Sequence, residues 1–598
     1  MGALLAVSGA LPAFEAERRI RAMAAQSPYR GRLQMFPFPG FTFGVQRVST
    51  EASVIDEPDV FVAINGRECA LLGPGDASGV ESSAARIARA WRDRGLSCLS
   101  AIDGDYALLV YDKRRATAHV AVSLLMMRPL YYAITDEALV LASEVRQVAT
   151  GAGIRRHLDE QQVFLSFWLN GPLLDKERTE YHDINRLFSP HVYQIKAGVR
   201  RLENAGSYWT PPGYAADAAK ARDALPGAVL ETLARSIRNL DGQVALSLSA
   251  GYDSGTLWAV SMRQPPRSGI PRFYTWTYPW LAGDEAVLVR RMLSRHGLDT
   301  CTVAGSQDDI AARVAEHVTR LDRIPVVSTL FLLDLMLSAM RRDAVDSNIV
   351  GAAGELPLMT EPHYLVDLLL RGRWLAFLQD FSRFELSMLE NPTRIRRARR
   401  LLGFAVRPLL EALNDRPRRA HGASFDTRWQ ALHKQALATL PMLERRGDFG
   451  RAYQWHLIES FGTSGGTETA EQFWAGYGIE LVTPYTTRRL TELVLSVPPR
   501  LLCRGRYDRQ VQREVAELAL GYEPPWPRTK IYLISKYDTV SPLVRGLGPA
   551  RKWALVEAGI ISERSARALD ADVADGRRPT PRWGRAAYFE HFMRKYGG

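Results

Sequence analysis

The residues best suited to chemistry lie in one run, Gln243-Val244-Ala245-Leu246-Ser247-Leu248-Ser249-Ala250-Gly251-Tyr252-Asp253-Ser254-Gly255-Thr256-Leu257-Trp258. An apolar strand passes into small residues and hydroxyls, and a helix is expected from about Ser254. A helix N-terminus carries unpaired N–H groups and the positive end of the helix dipole, so such a turn can cradle phosphate. Ser249 and Ser254 add hydroxyl donors, Gly251 lets backbone approach an oxygen, and Asp253 is placed to hold Mg²⁺ against a pyrophosphate. No Gly-Lys-Ser/Thr follows, so this is not a Walker A loop. The same residues also read as an ordinary capped helix start, and the run alone leaves both readings open.

The elements that must position this turn change character along the chain. The first ~200 residues read as short strands and turns. Val60–Ile64 runs toward Asn65-Gly66, Asp105–Tyr111 toward Asp112-Lys113, and Leu130–Ile134 turns at Thr135-Asp136 into Ala138–Ala142. Met1–Ser8 is apolar, lacks the basic start of a signal peptide, and reads as a first strand. Two prolines and two glycines between Ala205 and Gly213 mark a boundary. Beyond it strands alternate with long helices, the pattern of a parallel α/β sheet. Leu330–Leu337 is interrupted by Asp334 and far too short for a membrane span, so it reads as a buried helix. Residues 391–425 carry Arg394-Ile395-Arg396-Arg397-Ala398-Arg399-Arg400 and Asp415-Arg416-Pro417-Arg418-Arg419. This inserted segment is either a solvated helix and loop, the simpler reading, or a docking surface for an acidic partner. From Pro542 onward the chain reads as helical.

Composition narrows the class. At 598 residues the chain is too long for one ordinary core, and 46% hydrophobic with 24% charged residues is the balance of a soluble globular protein. The formal charge of +12 is spread along the chain and is weak evidence for nucleic acid. Four cysteines (Cys69, Cys98, Cys301, Cys503) without a CxxC pair exclude a disulfide scaffold or thiolate metal site and fit a reducing cytoplasm. The histidines form no HxH or HxxxH pair, which leaves phosphate-bound Mg²⁺ as the expected metal.

Ser249-Ala250-Gly251-Tyr252-Asp253-Ser254 resembles the Ser-Gly-Gly-x-Asp-Ser pyrophosphate loop of the asparagine synthetase superfamily, and further segments match in the same order. Tyr29-Arg30-Gly31 resembles the substrate-holding arginine turn of the superfamily's glutamine amidotransferase domain. Ile102–Leu108, Arg128–Tyr132 and Leu141–Glu144 resemble other parts of that domain. Gly478–Tyr485 and Leu495–Pro499 resemble late synthetase segments. Asn348-Ile349-Val350-Gly351-Ala352-Ala353-Gly354-Glu355-Leu356 resembles the Ser-Gly-x-Gly-x-Asp loop, with Glu355 in place of the second magnesium-binding Asp. Trp526–Tyr532 resembles the Arg-x-Lys segment whose lysine, here Lys530, lies on the reacting phosphate and carbonyl. Gly505–Arg513 resembles a Gly-x-x-Lys-x-x-x-x-Arg helix in which Asp508 replaces Lys and Arg513 keeps a phosphate contact. Glu285 stands where the family starts the helix after its second strand, and reads more simply as an N-terminal helix charge.

The resemblance implies an α+β Ntn-hydrolase-like sandwich at 1–205 and an α/β ATP-pyrophosphatase-type parallel-sheet domain at 206–598. It implies ATP and Mg²⁺ as cofactors, Asp253, Glu355 and Lys530 as catalytic residues, and Asp253 and Glu355 as metal ligands. Nucleotide contacts are implied at Leu248, Ser249, Gly251, Asp253, Ser254, Val350, Gly351 and Arg513. Two departures matter most. Glutaminase activity in this superfamily needs a Cys after the initiator Met, and residue 2 is Gly. Where asparagine and beta-lactam synthetases place a Glu or Tyr that handles the nucleophile's proton, this chain has Ala352. Lasso-peptide cyclases and beta-lactam synthetases resemble this cysteine-free arrangement and close rings. The expected function is therefore AMP-forming synthesis of a macrolactam: an Asp or Glu side chain of a precursor peptide is adenylated and joined to the peptide's N-terminal amine. A leader peptidase and a leader-recognition protein are the implied partners, with no nucleic acid and no membrane. The alternatives are a small-molecule amide ligase of the beta-lactam or ammonia-dependent asparagine type, and a noncatalytic peptide-binding scaffold.

Overall fold

A computed structural model describes residues 2–47, 54–71, 82–169, 175–277, 285–304, 310–324, 330–358, 362–385, 393–414, 425–438, 448–463, 466–524, 526, 540–575 and 581–597. Twelve strands build two six-stranded sheets in the N-terminal part. They are β1 (Gly2–Ser8), β2 (Arg32–Phe38), β3 (Phe41–Arg47), β4 (Val54–Asp56), β5 (Val60–Leu71), β6 (Ile102–Asp112), β7 (Thr117–Val122), β8 (Tyr131–Ile134), β9 (Leu139–Ala142), β10 (Asn185–Arg186), β11 (His191–Lys196) and β12 (Glu203–Ser207). Their orders are β10-β8-β9-β1-β3-β2 and β12-β11-β7-β6-β5-β4. Burial on both faces explains the apolar runs. Along β1, Leu4 and Ala6 enter the core between the sheets, while Leu5 and Val7 face the opposite side with Ile20 and Met23 of helix Ala13–Ala25. In β5, Phe61 and Ala63 point to the inter-sheet core and Val62 and Ile64 to helix Ser83–Arg94. The period of two thus yields helix, sheet, sheet, helix.

One sequence expectation fails here. Asn65-Gly66 is not a turn: β5 continues through it, with Asn65 opposite Ala107 and Gly66 opposite Tyr106 on β6. Long-range pairing with an eleven-residue neighbour outweighs the local turn preference of the dipeptide.

The second part holds a five-stranded parallel sheet: β13 (Val244–Ser247), β14 (Arg272–Thr277), β15 (Thr300–Ala304), β16 (Ser347–Ile349) and β17 (Glu480–Val482), ordered β15-β14-β13-β16-β17. The chain winds outward from β13 to β15, then returns to the other side of β13 with β16. Such a reversal opens a crevice at the carboxyl ends of the two central strands.

Helix Gly466–Ala475 joins the two parts through buried charge. Its Glu471 accepts from both terminal nitrogens of Arg30 at 2.6 and 2.7 Å and from Arg128 at 3.0 Å. Its Glu468 accepts from Arg186 at 2.9 Å and from Arg323 at 2.6 Å, and Arg323 also binds Glu180. Arg30, Arg128, Arg186 and Arg323 are all at most 2% exposed. Burial alone would raise the Glu471 carboxyl, but Arg30 and Arg128 hold it below the usual range. A carboxyl whose pKa is depressed by folding adds stability above its unfolded pKa and loses it as pH falls. Glu471→Gln is therefore expected to cost about 3–5 kcal/mol at neutral pH, by leaving buried guanidiniums under-compensated, and to shrink the loss of stability on acidification. Thermal melts of the two proteins from neutral to acid pH check both effects.

Candidate active site at the carboxyl ends of the central strands

Strands β13 and β16 run in register, with Leu246 level with Ile349, so the loops that follow them start side by side. The first loop passes through Leu248 and Ala250, both buried, to Gly251, and the helix begins at Tyr252, two residues earlier than expected. No side chain caps this helix. The loop is held from within: the Ser249 and Ser254 hydroxyls lie 2.9 Å apart, the Ser249 N–H donates to Ser254 Oγ at 3.0 Å, and the Gly251 N–H donates to Ser249 Oγ at 3.2 Å. The two serines thus shape the turn as well as lining it.

The second loop, Val350-Gly351-Ala352-Ala353-Gly354, packs directly on the first. The Val350 N–H donates to the Val482 carbonyl at 2.9 Å, tying this loop to β17. A Cβ on Gly351 would stand 2.8 Å from the Ser254 nitrogen, and one on Gly354 2.7 Å from Asp253 Oδ1. Glycine is required at both places for the backbones to meet. Glu355 opens the short helix Glu355–Leu358 immediately beyond. Its backbone therefore follows the residue that touches Asp253, while its side chain lies outside the described residues. Lys530 and Glu285's side chain are likewise outside them; helix Glu285–Ser294 does start at Glu285, after β14.

Asp253 is the centre of the arrangement. Its Oδ1 accepts from Arg509 at 2.9 Å and from Gln512 at 2.5 Å, and its carbonyl accepts from the Tyr485 hydroxyl at 2.8 Å. Both side-chain donors use Oδ1, which leaves Oδ2 without a protein donor among the described residues. That free oxygen, the uncapped helix start and the two glycines form a cradle that fits a phosphate with its cation, with Ser249, Gly251, Ser254, Val350 and Gly351 around it. Arg509 and Gln512 are functional residues that sequence reading missed. Arg509, Gln512 and Arg513 sit at i, i+3 and i+4 around the start of helix Gln510–Leu520, a spacing that puts them on one face. That spacing was the available signal. Arg513 bonds Glu523 at 2.6 Å, donates to the Tyr252 hydroxyl and lies over the Tyr252 ring at 4.7 Å, so it borders the first turn of the loop's helix. Asp508 is buried beside this face.

The amidotransferase-like region has a different geometry. Arg30, in the turn Pro28–Arg30, is fully buried and bonds Glu144 at 2.5 Å, the Gly2 carbonyl at 2.8 Å and Glu471. A Cβ at Gly2 would lie 2.6 Å from the Gln46 carbonyl oxygen, in the paired interior of the sheet. A cavity of about 90 Å³ lies at the domain junction, bordered by Asp105 and Arg128 on one side and Leu481–Pro484 on the other. Burial pushes the Asp105 carboxyl up to about 6.

Asp253→Asn keeps an oxygen for Arg509 and Gln512 and removes the charge a cation needs. Pyrophosphate–ATP exchange is expected to fall at least ~10²-fold, and the melting temperature to drop as well because buried Arg509 loses its paired charge. Gly354→Ala is expected to lower exchange as well, by driving the two loops apart.

Comparison with known proteins follows this division. A glutamine amidotransferase domain profile matches residues 75–209, and an asparagine synthase profile matches residues 228–526. The chain is 24% identical over 183 residues to asparagine synthetase [glutamine-hydrolyzing] 2 of Bacillus subtilis, covering 29% of this chain and 24% of that protein. It is 27% identical over 163 residues to putative asparagine synthetase [glutamine-hydrolyzing] 1 of Methanocaldococcus jannaschii, covering 27% of each. It is 25% identical over 256 residues to amidase chyE of Penicillium rubens, covering 38% of this chain and 35% of that protein. The matched regions thus span about a quarter to a third of these curated relatives. The synthase profile covers half of the 598 residues, including both loops that meet at Asp253, and the chain belongs to the asparagine synthase family.

Proposed function

We propose that this protein is an AMP-forming amide ligase whose amine arrives with its substrate instead of from glutamine. In its most specific form it is a macrolactam synthetase, joining an Asp or Glu side chain of a ribosomal precursor peptide to that peptide's N-terminal amine. The observation that carries the reading is the state of Arg30. The guanidinium at the substrate-holding turn is buried and bonded to Glu144, Glu471 and the Gly2 carbonyl. A glutamine carboxylate would have to displace two carboxylates from a 0% exposed cation, and residue 2 offers no thiol to attack the amide.

Family membership makes ATP the expected cosubstrate; with Mg²⁺ it supplies activation of a carboxylate. The chain's own residues divide the remaining work. Ser249, Ser254 and the N–H groups at the start of helix Tyr252–Arg263 bind phosphate oxygens, Asp253 Oδ2 takes the cation with Glu355 as the second ligand, and Arg509 and Gln512 fix the Asp253 carboxylate. Lys530 would supply a compact ammonium for charge that develops on phosphate and carbonyl. At Ala352 a methyl group stands where a proton-handling Glu or Tyr would be, so an amine near its own pKa, such as a peptide N-terminus, suits the site. A leader peptidase and a leader-recognition protein would supply such a substrate. Free ammonia would equally bypass Arg30, and ammonia-dependent amide formation is the second reading.

Incubation of leader-cleaved peptide with enzyme and Mg-ATP is expected to give a product lighter by one water, with one AMP and one pyrophosphate per ring. Asparagine formed from aspartate and ammonium, without peptide cyclisation, would select the second reading. ADP in place of AMP would contradict both, and absence of any exchange would indicate a noncatalytic scaffold.

A further inference from the structure

The basic segment and the helix beside it present an exposed surface that combines apolar side chains with arginine. Helices Tyr364–Leu370, Trp374–Arg383 and Arg394–Asn414 share a small core of Tyr364, Leu365, Leu368, Phe384, Leu401 and Ala405, closed by Cys503. Helix Trp374–Arg383 turns Phe377 and Phe381 toward this core and leaves three large apolar side chains in solvent: Trp374 is 60% exposed, Leu375 85% and Leu378 59%. Helix Arg394–Asn414 leaves Ile395 80% exposed, with Leu402 and Val406 exposed further along. Arg397 donates to the Ser382 carbonyl at 3.1 Å, which holds the start of this helix against the end of the other.

The charge around these apolar side chains is predominantly positive. Between residues 371 and 406 the described residues include eight arginines, with Arg373, Arg394, Arg396, Arg399 and Arg400 exposed. The acids there are Glu385 and Asp380; Asp380 is buried and bonded to Arg500 at 2.7 Å. Exposed Trp, Leu and Ile flanked by arginine is the composition of a helix surface that lies in a lipid interface, with apolar side chains among the acyl chains and guanidiniums on headgroup phosphates.

We propose that this face docks on an anionic lipid surface. Two features favour lipid over a folded partner. Leu375 and Ile395 project almost fully from the surface; a deformable acyl layer accepts protruding side chains without matched pockets. The excess arginine charge, at Arg371 and Arg373 before the first helix and at Arg394–Arg400 on the second, complements phosphate headgroups. The absence of a spanning segment, from which the sequence reading excluded a membrane, does not bear on surface attachment. Among the described residues no helix is long and apolar enough to cross a bilayer.

Sedimentation of the full chain with vesicles tests this directly. Binding is expected to vesicles of phosphatidylglycerol mixed with phosphatidylcholine, not to phosphatidylcholine alone, and it should weaken as salt rises. The double substitution Leu375→Glu and Ile395→Glu is expected to weaken it about tenfold or more, with the melting curve unchanged because both side chains are exposed. Arg396→Gln with Arg399→Gln and Arg400→Gln should flatten the salt dependence. A chain that stays in solution with anionic vesicles, or a Glu variant that binds like the parent, overturns the proposal and assigns the face to a soluble acidic partner or to solvent.

Discussion

Two carboxylates of one helix, Glu468 and Glu471, reach into a set of arginines that belong to distant parts of the chain. Arg30 is 441 residues from Glu471, and Arg323 is 145 from Glu468. Burying one charge without its partner costs several kcal/mol, so the lattice makes the two halves of the molecule interdependent. It also sets the relative position of everything else. Arg128 carries the contact onward from Glu471 to the Leu481 carbonyl on β17, and β17 pairs with β16. β16 in turn delivers Gly351 and Gly354 to Asp253.

The same bonds bear on function. An arginine that must open for glutamine cannot also be the keystone of a buried lattice without a large energetic cost for each opening. At the Pro28–Arg30 turn the cation is fully buried and bonded to two carboxylates, and a Cβ at residue 2 would lie 2.6 Å from the Gln46 carbonyl oxygen. The asparagine synthase part brings together an uncapped helix start, paired hydroxyls, and a carboxylate held through one oxygen, the other without a protein donor among the described residues.

Much of this was legible in sequence where the signal is local. The strand-loop-helix order around Ser249–Ser254 is legible within a dozen residues, since strand, small residues, hydroxyls and helix follow one another. The alternation of strands and helices in the second part and the short strands of the first follow from the spacing of apolar residues, while the two-sheet sandwich was implied by the family resemblance. The misreading of Asn65-Gly66 has the opposite origin, because its conformation is decided by pairing with Ala107 and Tyr106 across the sheet. Arg509 and Gln512 escaped because Asp508 stood at the position under inspection, one residue from the side chain that binds Asp253. Arg30 was recognisable as a residue type, but its partners Glu144 and Glu471 lie 114 and 441 residues away, and only the fold shows them occupying it.

The central claim is that the amine does not come from glutamine. It is tested most directly by glutamate release from glutamine in the presence of enzyme, Mg-ATP and a substrate that is being converted to amide. The account predicts glutamate at the level of the enzyme-free blank while amide forms at its full rate. Glutamate released in step with amide product would contradict it.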